Sequence, residues 1–245
     1  MKILTFNTWQ ERGPWKERWE VAFKELEHLR PDFACFQELF NAEWALKVRK
    51  RLGLHTLLFP KSPAGLTLYA RPHARSWGMV ELAKSRLEEY RRFALWSEFK
   101  VKGSRLVIVN THLSWKLEDG ASRLKQVEGI LDLLKEKAEG AEAIVTGDLN
   151  APPHSPEIRK LTWEGKFKDI FRSLNPNEER FTWDNRNAYA GGAEHKMPDR
   201  RIDYILTRNA GPILGKPSFC DLVFTKPGAK GVWASDHFGI LAEFK

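Results

Sequence analysis

Cysteine is nearly missing from this chain of 245 residues, and the two that occur, Cys35 and Cys220, have no spacing typical of a zinc site. A cysteine-built metal centre is excluded. Cys35 sits in the apolar run Phe33-Ala34-Cys35-Phe36, so buried free thiols in a reducing compartment are expected. No apolar stretch is long enough to span a bilayer, and polar Asn7 interrupts the N-terminal run too soon for a signal-peptide core, so a cytoplasmic location is the expectation. No Pro/Gly/Ser-rich linker, repeat or low-complexity tract divides the chain, which points to one domain over residues 1–245 with a well-buried core. A Lys/Arg stripe for reading duplex DNA is also lacking, yet the net charge of +8 favours anionic partners: nucleic acid, phosphorylated ligands or an acidic lipid surface.

What is present is an alternation of strand and helix patterns. Lys2 to Trp9 reads as a strand, and Trp15, Trp19, Ala22, Phe23, Leu26 and Leu29 recur at helical spacing before Pro31 stops the run. Phe33 to Gln37 is a second strand, Ala42 to Leu52 a helix closed by Gly53, and Leu54 to Phe59 and Leu66 to Tyr69 are further strands. Arg92 to Val101 and Arg105 to Asn110 form a hairpin around Lys102-Gly103-Ser104. A long helix from Glu118 to Lys137 leads into the strand Ala143 to Thr146. Beyond Pro152-Pro153 come a helical segment near Pro156 to Leu161, a polar loop from Asp184 to Arg200, and strands Ile202 to Thr207, Asp221 to Thr225 and Gly239 to Phe244.

Polar motifs cluster where these strands end or begin: Glu38, Asn110-Thr111-His112, Gly147-Asp148-Leu149-Asn150 and Ser235-Asp236-His237. Strands from distant parts of the chain would bring carboxylates, amides and imidazoles to one rim, the inventory of a hydrolytic metal site. Ser235-Asp236-His237 is not a nucleophilic triad, because three consecutive residues cannot line up head to tail and no Gly-x-Ser-x-Gly elbow is present.

The ordered set of Asn7, Gln37-Glu38, Asn110-Thr111-His112, Gly147-Asp148-Leu149-Asn150, Arg201-Ile202-Asp203-Tyr204 and Ser235-Asp236-His237 resembles the endonuclease/exonuclease/phosphatase superfamily with the DNase I-like fold. The resemblance implies an α/β fold of two mixed β-sheets packed face to face, flanked by helices, and Mg²⁺- or Mn²⁺-assisted attack of water on a phosphoester. It lies nearer the sphingomyelinase-like and deadenylase-like branches than the abasic-site endonucleases. The grounds are His112, together with Phe181-Thr182-Trp183-Asp184, Asn187 and Arg201-Ile202-Asp203-Tyr204.

Such chemistry needs a Lewis acid, an oriented water and donors aimed at the oxyanions of the transition state. Glu38, just after a buried strand, suits a hard cation and matches the family's metal glutamate. Asn7 has an amide that can offer its oxygen to the metal or its N–H to the phosphate. Asp148 and Asn150, two apart on an extended segment, would project to one side, one to orient or deprotonate water and the other to donate to phosphate. Asp236 and His237 would diverge, Asp236 to the metal side and His237 to the phosphate. Asp203 matches the family aspartate that fixes the histidine's tautomer and favours its cation, and His112 the family's phosphate-contacting histidine.

Plainer roles exist for each. Asn7 could satisfy a strand end, Asp148 and Asn150 could form an Asx turn, and Asp203 could pair with Arg201. Trp9, Trp115, Trp183 and Trp233 lie beside these motifs, where they could stack on bases, cage a quaternary ammonium, or simply pack beneath the site. His28, His55, His73, His154 and His195 lack partners at ligand spacing. The segment Asp184 to Pro198, with Gly191-Gly192 as hinges, is expected to form a mobile rim. The resulting expectation is a metal-dependent phosphodiesterase acting on nucleic acid, DNA or RNA, with a phospholipid or small phosphate ester as the alternative. A non-catalytic anion-binding module is disfavoured because neither the metal glutamate nor the aspartate nor the terminal histidine is missing.

Overall fold

A computed structural model of the chain describes residues 1–60, 64–192 and 197–245. The first sheet is built on β1 (Lys2–Asn7) and β2 (Phe33–Gln37), which run parallel because α1 (Trp15–Leu29) carries the chain back between them. After α2 (Ala42–Leu52), β3 (Thr56–Leu58) and β4 (Thr67–Ala70) extend that sheet on one side. β11 (Pro217–Val223) and β12 (Gly239–Phe244) extend it on the other. The second sheet takes β5 (Ala74–Glu81), β6 (Phe93–Val101), β7 (Ser104–His112), β8 (Glu142–Asp148), β10 (Asp203–Arg208) and β9 (Lys168–Asp169), in that spatial order. Its one parallel pair, β7 and β8, is joined through α3 (Gly120–Lys137). Two mixed six-stranded sheets thus face each other, with helices outside.

Period-two alternation explains the layering. Along β1, Ile3 enters the cluster between the sheets with Cys35, Leu68, Ile108, Ile144 and Ile240. Its neighbours Leu4 and Phe6 point outward instead, beneath the Trp19, Phe23 and Leu26 stripe of α1 and Trp44 of α2. On the second sheet Val107, Val109 and Val145 turn outward under Val127, Ile130 and Leu134 of α3. Both thiols are free and buried, and burial pushes each above its ordinary range. Among the described residues no helix is long and apolar enough to cross a membrane.

Several boundaries moved for local reasons. The first strand stops at Asn7 rather than Trp9, because Trp9 and Gln10 adopt left-handed backbone angles (φ 55° and 50°). β11 ends before Phe224, also left-handed at φ 61°. β5, β9 and a short helix α5 (Ile170–Leu174) had no clear periodic signal; β5 is an edge strand whose residues are mostly exposed. The expected polar loop contains α6 (Ala188–Gly191), whose N-terminus is capped by the Asn187 side chain. Residues 193–196 of the expected rim, including His195, lie outside the described residues.

At the end of the sandwich where β1, β2, β7 and β8 all finish, the sheets are joined by polar groups. Asn110 of β7 donates to the carbonyls of Phe36 and Thr67 in the opposite sheet, both at 3.0 Å, and accepts from Gln37 Nε2 at 2.7 Å. All of these groups are buried. Replacing Asn110 by Ala would take a donor from two buried carbonyls and leave the Gln37 amide only its longer bonds to Thr5 Oγ1 and the Cys35 carbonyl, at 3.2 and 3.3 Å, and should lower unfolding free energy by roughly 2–4 kcal/mol. Urea denaturation measures this; a loss below about 1 kcal/mol would mean that the joint is not stabilising.

Candidate active site

The rim above this joint collects its side chains from both sheets. Asn7 ends β1, Glu38 follows β2, His112 ends β7, Asp148 ends β8, Asp203 begins β10, and Ser235 to His237 precede β12. Gly147 is required in this arrangement: at φ 131° its Cα faces the neighbouring strand so closely that a Cβ would lie 1.9 Å from the Thr111 carbonyl oxygen. Glu38 itself is left-handed at φ 58°, which turns it out of the sheet at the rim.

One carboxylate oxygen, Asp148 Oδ2, is the focus of the second-sheet half. Asn7 Nδ2 donates to it at 3.0 Å, His112 Nε2 stands at 3.5 Å and His237 Nε2 at 3.7 Å. His237 Nδ1 is 3.0 Å from Asp203 Oδ2, so the imidazole bridges two buried carboxylates. Burial opposes charge on His237, but the fields of Asp203 and Asp148 and the hydrogen bond to Asp203 outweigh it and push its pKa up to about 10. His112 is the opposite case: burial, aided by Arg92 and His237, holds it neutral, well below the ordinary range. Burial and the proximity of Asp203 raise Asp148 to about 7. The Asp203–Arg201 alternative does not occur; Arg201 pairs with Asp169 at 2.6 Å.

The Asx-turn reading of Asp148 and Asn150 is realised in part. Asn150 is left-handed at φ 48°, not extended, and its backbone N–H donates to Asp148 Oδ1 at 3.0 Å while Nδ2 donates to the Leu113 carbonyl at 3.1 Å. Both side chains nevertheless line the same cavity of about 610 Å³, together with Glu38, His112, Asp236 and His237. Asn7 and Asp203 lie behind this wall. Asn7 Oδ1 already accepts from the Trp9 N–H at 3.1 Å, so its amide holds Asp148 and the Trp9 turn together.

Glu38 and Asp236 form the other half. No side-chain hydrogen bond or ion pair joins Glu38 to another described residue, and Asp236 accepts only from Ser235 Oγ at 3.1 Å. Burial, together with the nearby charge of Glu38, lifts Asp236 to about 6. Two carboxylates on one cavity wall, neither of them neutralised by an ion pair among the described residues, are a donor set for a hard divalent cation, so the fit to one is good. Asp148, Asp203 and His237 also lie within 4.8 Å of one another, and the Asp203–His237 hydrogen bond makes that trio a candidate proton-holding relay.

Aromatic rings frame the opening. Trp9 stacks on Tyr189 of α6 at 4.8 Å, and Trp183 meets the His237 ring edge-on at 5.2 Å. Trp9, Trp115 and Trp183 line the cavity; Trp233 does not, and packs on Phe238 at 5.8 Å. A Cβ on Gly191 would meet the Asn185 carbonyl oxygen at 2.5 Å and one on Gly192 the Ala188 carbonyl oxygen at 2.7 Å, so the chain passes too close there for any larger residue. Asn187 fastens that turn to the site by donating to the Ser235 carbonyl at 2.7 Å. Of the other histidines, His28 bonds the Lys24 carbonyl, His55 and His73 face each other on the surface, and His154 lines a separate groove.

Three residues of this site were not anticipated: Arg18, Tyr189 and Arg200. Arg18 is 1 % exposed and donates to the carbonyls of Thr8, Trp9 and Gln10 while lying on the Trp9 ring at 4.6 Å. It braces the left-handed turn that presents Trp9. The available signal was its position one residue before Trp19 and four before Ala22, on the edge of the apolar stripe of α1.

The profile of a family described as Endonuclease/Exonuclease/phosphatase matches residues 4–237. Among curated proteins, tyrosyl-DNA phosphodiesterase 2 of Xenopus laevis is 26% identical over 157 residues, which cover 62% of this chain and 41% of that protein. Protein angel of Drosophila melanogaster is 23% identical over 186 residues, 68% of this chain and 52% of that protein. The chain thus spans about half or less of the length of these curated relatives. Among solved structures, D. rerio TDP2 complexed with a single-strand DNA product superposes with a TM-score of 0.83 at 21% identity, covering 100% of this chain and 98% of that one. An endonuclease/exonuclease/phosphatase from Bacteroides vulgatus does so with 0.77 at 19%, covering 100% and 98%. At these identities the likeness is one of fold.

The relay can be tested without turnover. In Asp203→Asn the His237 imidazolium loses its closest anionic partner, and its titration, followed by NMR, should fall by at least about one pH unit. An unchanged His237 titration would remove Asp203 from the relay.

Proposed function

From the premise that the chain belongs to the Endonuclease/Exonuclease/phosphatase family, we propose that it is a divalent-metal-dependent phosphodiesterase that hydrolyses a phosphodiester bond in DNA. The observation that carries the reading is the division of one cavity into an acid pair, Glu38 and Asp236, and a charged relay, Asp148–His237–Asp203, with neutral His112 beside it. The substrate class is supported by the kinship with proteins named tyrosyl-DNA phosphodiesterase 2 and by three tryptophans on the cavity wall, which suit stacking on unpaired bases.

Glu38 and Asp236 would hold Mg²⁺ or Mn²⁺, which when bound supplies Lewis-acid neutralisation of phosphoryl oxygen. Asp148, ionised, accepts a proton from the attacking water as the new oxygen–phosphorus bond forms; the bond to the leaving oxygen breaks on the opposite side. Asn7 fixes the orientation of that carboxylate through its 3.0 Å hydrogen bond. His237, charged, places its Nε2 on the cavity side, where a phosphoryl oxygen gaining charge would sit, and Asp203 holds the ring from behind. His112, neutral, adds a hydrogen-bonding group without adding charge. Stabilisation of this kind is worth roughly 10²- to 10³-fold per donor.

Two outcomes are expected. Glu38→Gln should lower kcat on bis-p-nitrophenyl phosphate by at least about 10²-fold at saturating Mg²⁺ or Mn²⁺ with an unchanged melting temperature, because a neutral amide is a poor ligand for a hard cation. Wild-type turnover in that variant would sink the assignment. The pH profile should be a bell: activity rises as Asp148 ionises, near or below about 7, and falls as His237 loses its proton near 10. A panel of single-stranded DNA, duplex DNA, RNA, sphingomyelin and inositol phosphates tests the substrate; preference for any of the last three would overturn the DNA reading.

A further inference from the structure

Arg200 is the one cation on the cavity wall that the chemistry above does not use and that is itself buried, at 7 % exposure. Its neighbours in sequence are spoken for: Asp199 accepts from the Asn185 backbone and side chain, and Arg201 is bound to Asp169. Arg200 has no ion pair among the described residues, and its Nε is buried without a hydrogen-bond partner. Its backbone, by contrast, is fixed: its N–H donates to the Trp183 carbonyl at 2.9 Å, and its carbonyl accepts from Thr182 and Trp183 at 3.1 and 3.0 Å. A guanidinium held on a rigid backbone, dehydrated and unpaired, is costly unless an anion comes to it. Burial lowers its affinity for a proton, and Arg123 adds to that, against the favourable fields of Asp148 and Asp203.

Its location says which anion. Arg200 lines the catalytic cavity and also two adjoining depressions, of about 470 and 630 Å³, one running beneath Pro152 and Phe181 and the other toward Leu117 on the α3 side. It therefore stands at the exit through which a chain attached to the reacting phosphate must leave. In the reading above the reacting phosphate is met by His112 and His237 on the same cavity wall. Resting on the phosphodiesterase reading, we propose that Arg200 is a specificity-determining residue that binds a second phosphate of the substrate strand, the diester next to the one being cleaved, and so selects an oligonucleotide over a mononucleotide ester.

The test compares two chromogenic esters that differ by one phosphate: the p-nitrophenyl ester of thymidine 5′-monophosphate and the same ester on the 5′ phosphate of a thymidine dinucleotide. The quantity read is the ratio of kcat/KM for the longer ester to that for the shorter. In Arg200→Met this ratio should fall about 10- to 100-fold, mainly through KM, and Arg200→Lys should recover part of it, since a point charge replaces the planar fork. On a longer single-stranded oligonucleotide the salt dependence of log kcat/KM should also become shallower by about 0.7 in slope, as expected for one lost phosphate contact. Circular dichroism melts of both variants verify folding. Equal losses on the two esters would place Arg200 on the reacting phosphate and overturn the proposal, as would an unchanged ratio in both variants. If wild-type protein hydrolyses neither ester with Mg²⁺ or Mn²⁺, the phosphodiesterase reading itself fails, a result distinct from either.

Discussion

Everything in the site depends on holding the ends of two separate sheets in register, and the grip at that end is polar. Farther down the sandwich the sheets meet through Ile3, Cys35, Ile108, Ile144 and Ile240, contacts that resist separation but tolerate sliding. Asn110 adds direction. Its side chain forms three hydrogen bonds to the facing sheet, with Phe36 and Gln37 of β2 and with Thr67 of the adjoining β4, and Gln37 immediately precedes Glu38. Two residues after Asn110 comes His112. One amide therefore sets the spacing between the first-sheet donor Glu38 and the second-sheet imidazole, and buried amides that would lose all partners on slipping are well suited to specify a single alignment.

That alignment concentrates negative charge where the fold can least screen it. Asp148, Asp203 and Asp236 are all essentially buried, with Glu38 beside them. The protein balances the set unevenly. His237 takes up charge between Asp148 and Asp203, so that half carries one net negative charge rather than two when Asp148 is ionised. Asp236 receives the field of His237 and, more weakly, that of Arg18, whose guanidinium is turned to the carbonyls of Thr8, Trp9 and Gln10. The two carboxylates on the Glu38–Asp236 side have no ion-pair partner among the described residues, the charge pattern that a divalent cation would balance.

How much of this could be read from the chain depended on whether a signal was periodic. α1, α2, β2 and β12 agree with the expected bounds residue for residue, since apolar spacing, Pro31 and Gly53 mark them. β5 was missed because Ala74 to Glu81 is a largely exposed edge strand without a clean apolar face. At the site, motif residues were legible because each adjoins a buried strand, and six of them line one cavity. What the motifs hid was orientation. Asn7 and Asp203 stand behind the cavity wall, Asn150 is turned by a left-handed backbone, and Trp233 faces Phe238. None of these follows from spacing, because they are decided by hydrogen bonds between different elements, such as Asn7 with Asp148 and Asp203 with His237, by a ring contact, or by backbone angles that sequence patterns do not encode.

The rim illustrates the same point from the other direction, since its most exposed features rest on its most buried charges. Trp9 sits on two successive left-handed residues, a conformation that costs roughly 1–3 kcal/mol per non-glycine residue unless its surroundings over-determine it. Arg18 supplies that over-determination through three carbonyls and the face of the indole. On the opposite rim, Glu88 accepts from the backbone of Trp115 and Lys116, and Arg123, paired with Glu157 at 2.8 Å, donates to the carbonyls of Ser114 and Lys116. Both aromatic presenters are thus fixed by side chains that never reach the cavity. Backbone braced in this way at Trp9 and Trp115 has less conformational freedom to lose when a ligand binds against those rings, which lowers the ordering cost that weakens many interactions of flexible segments.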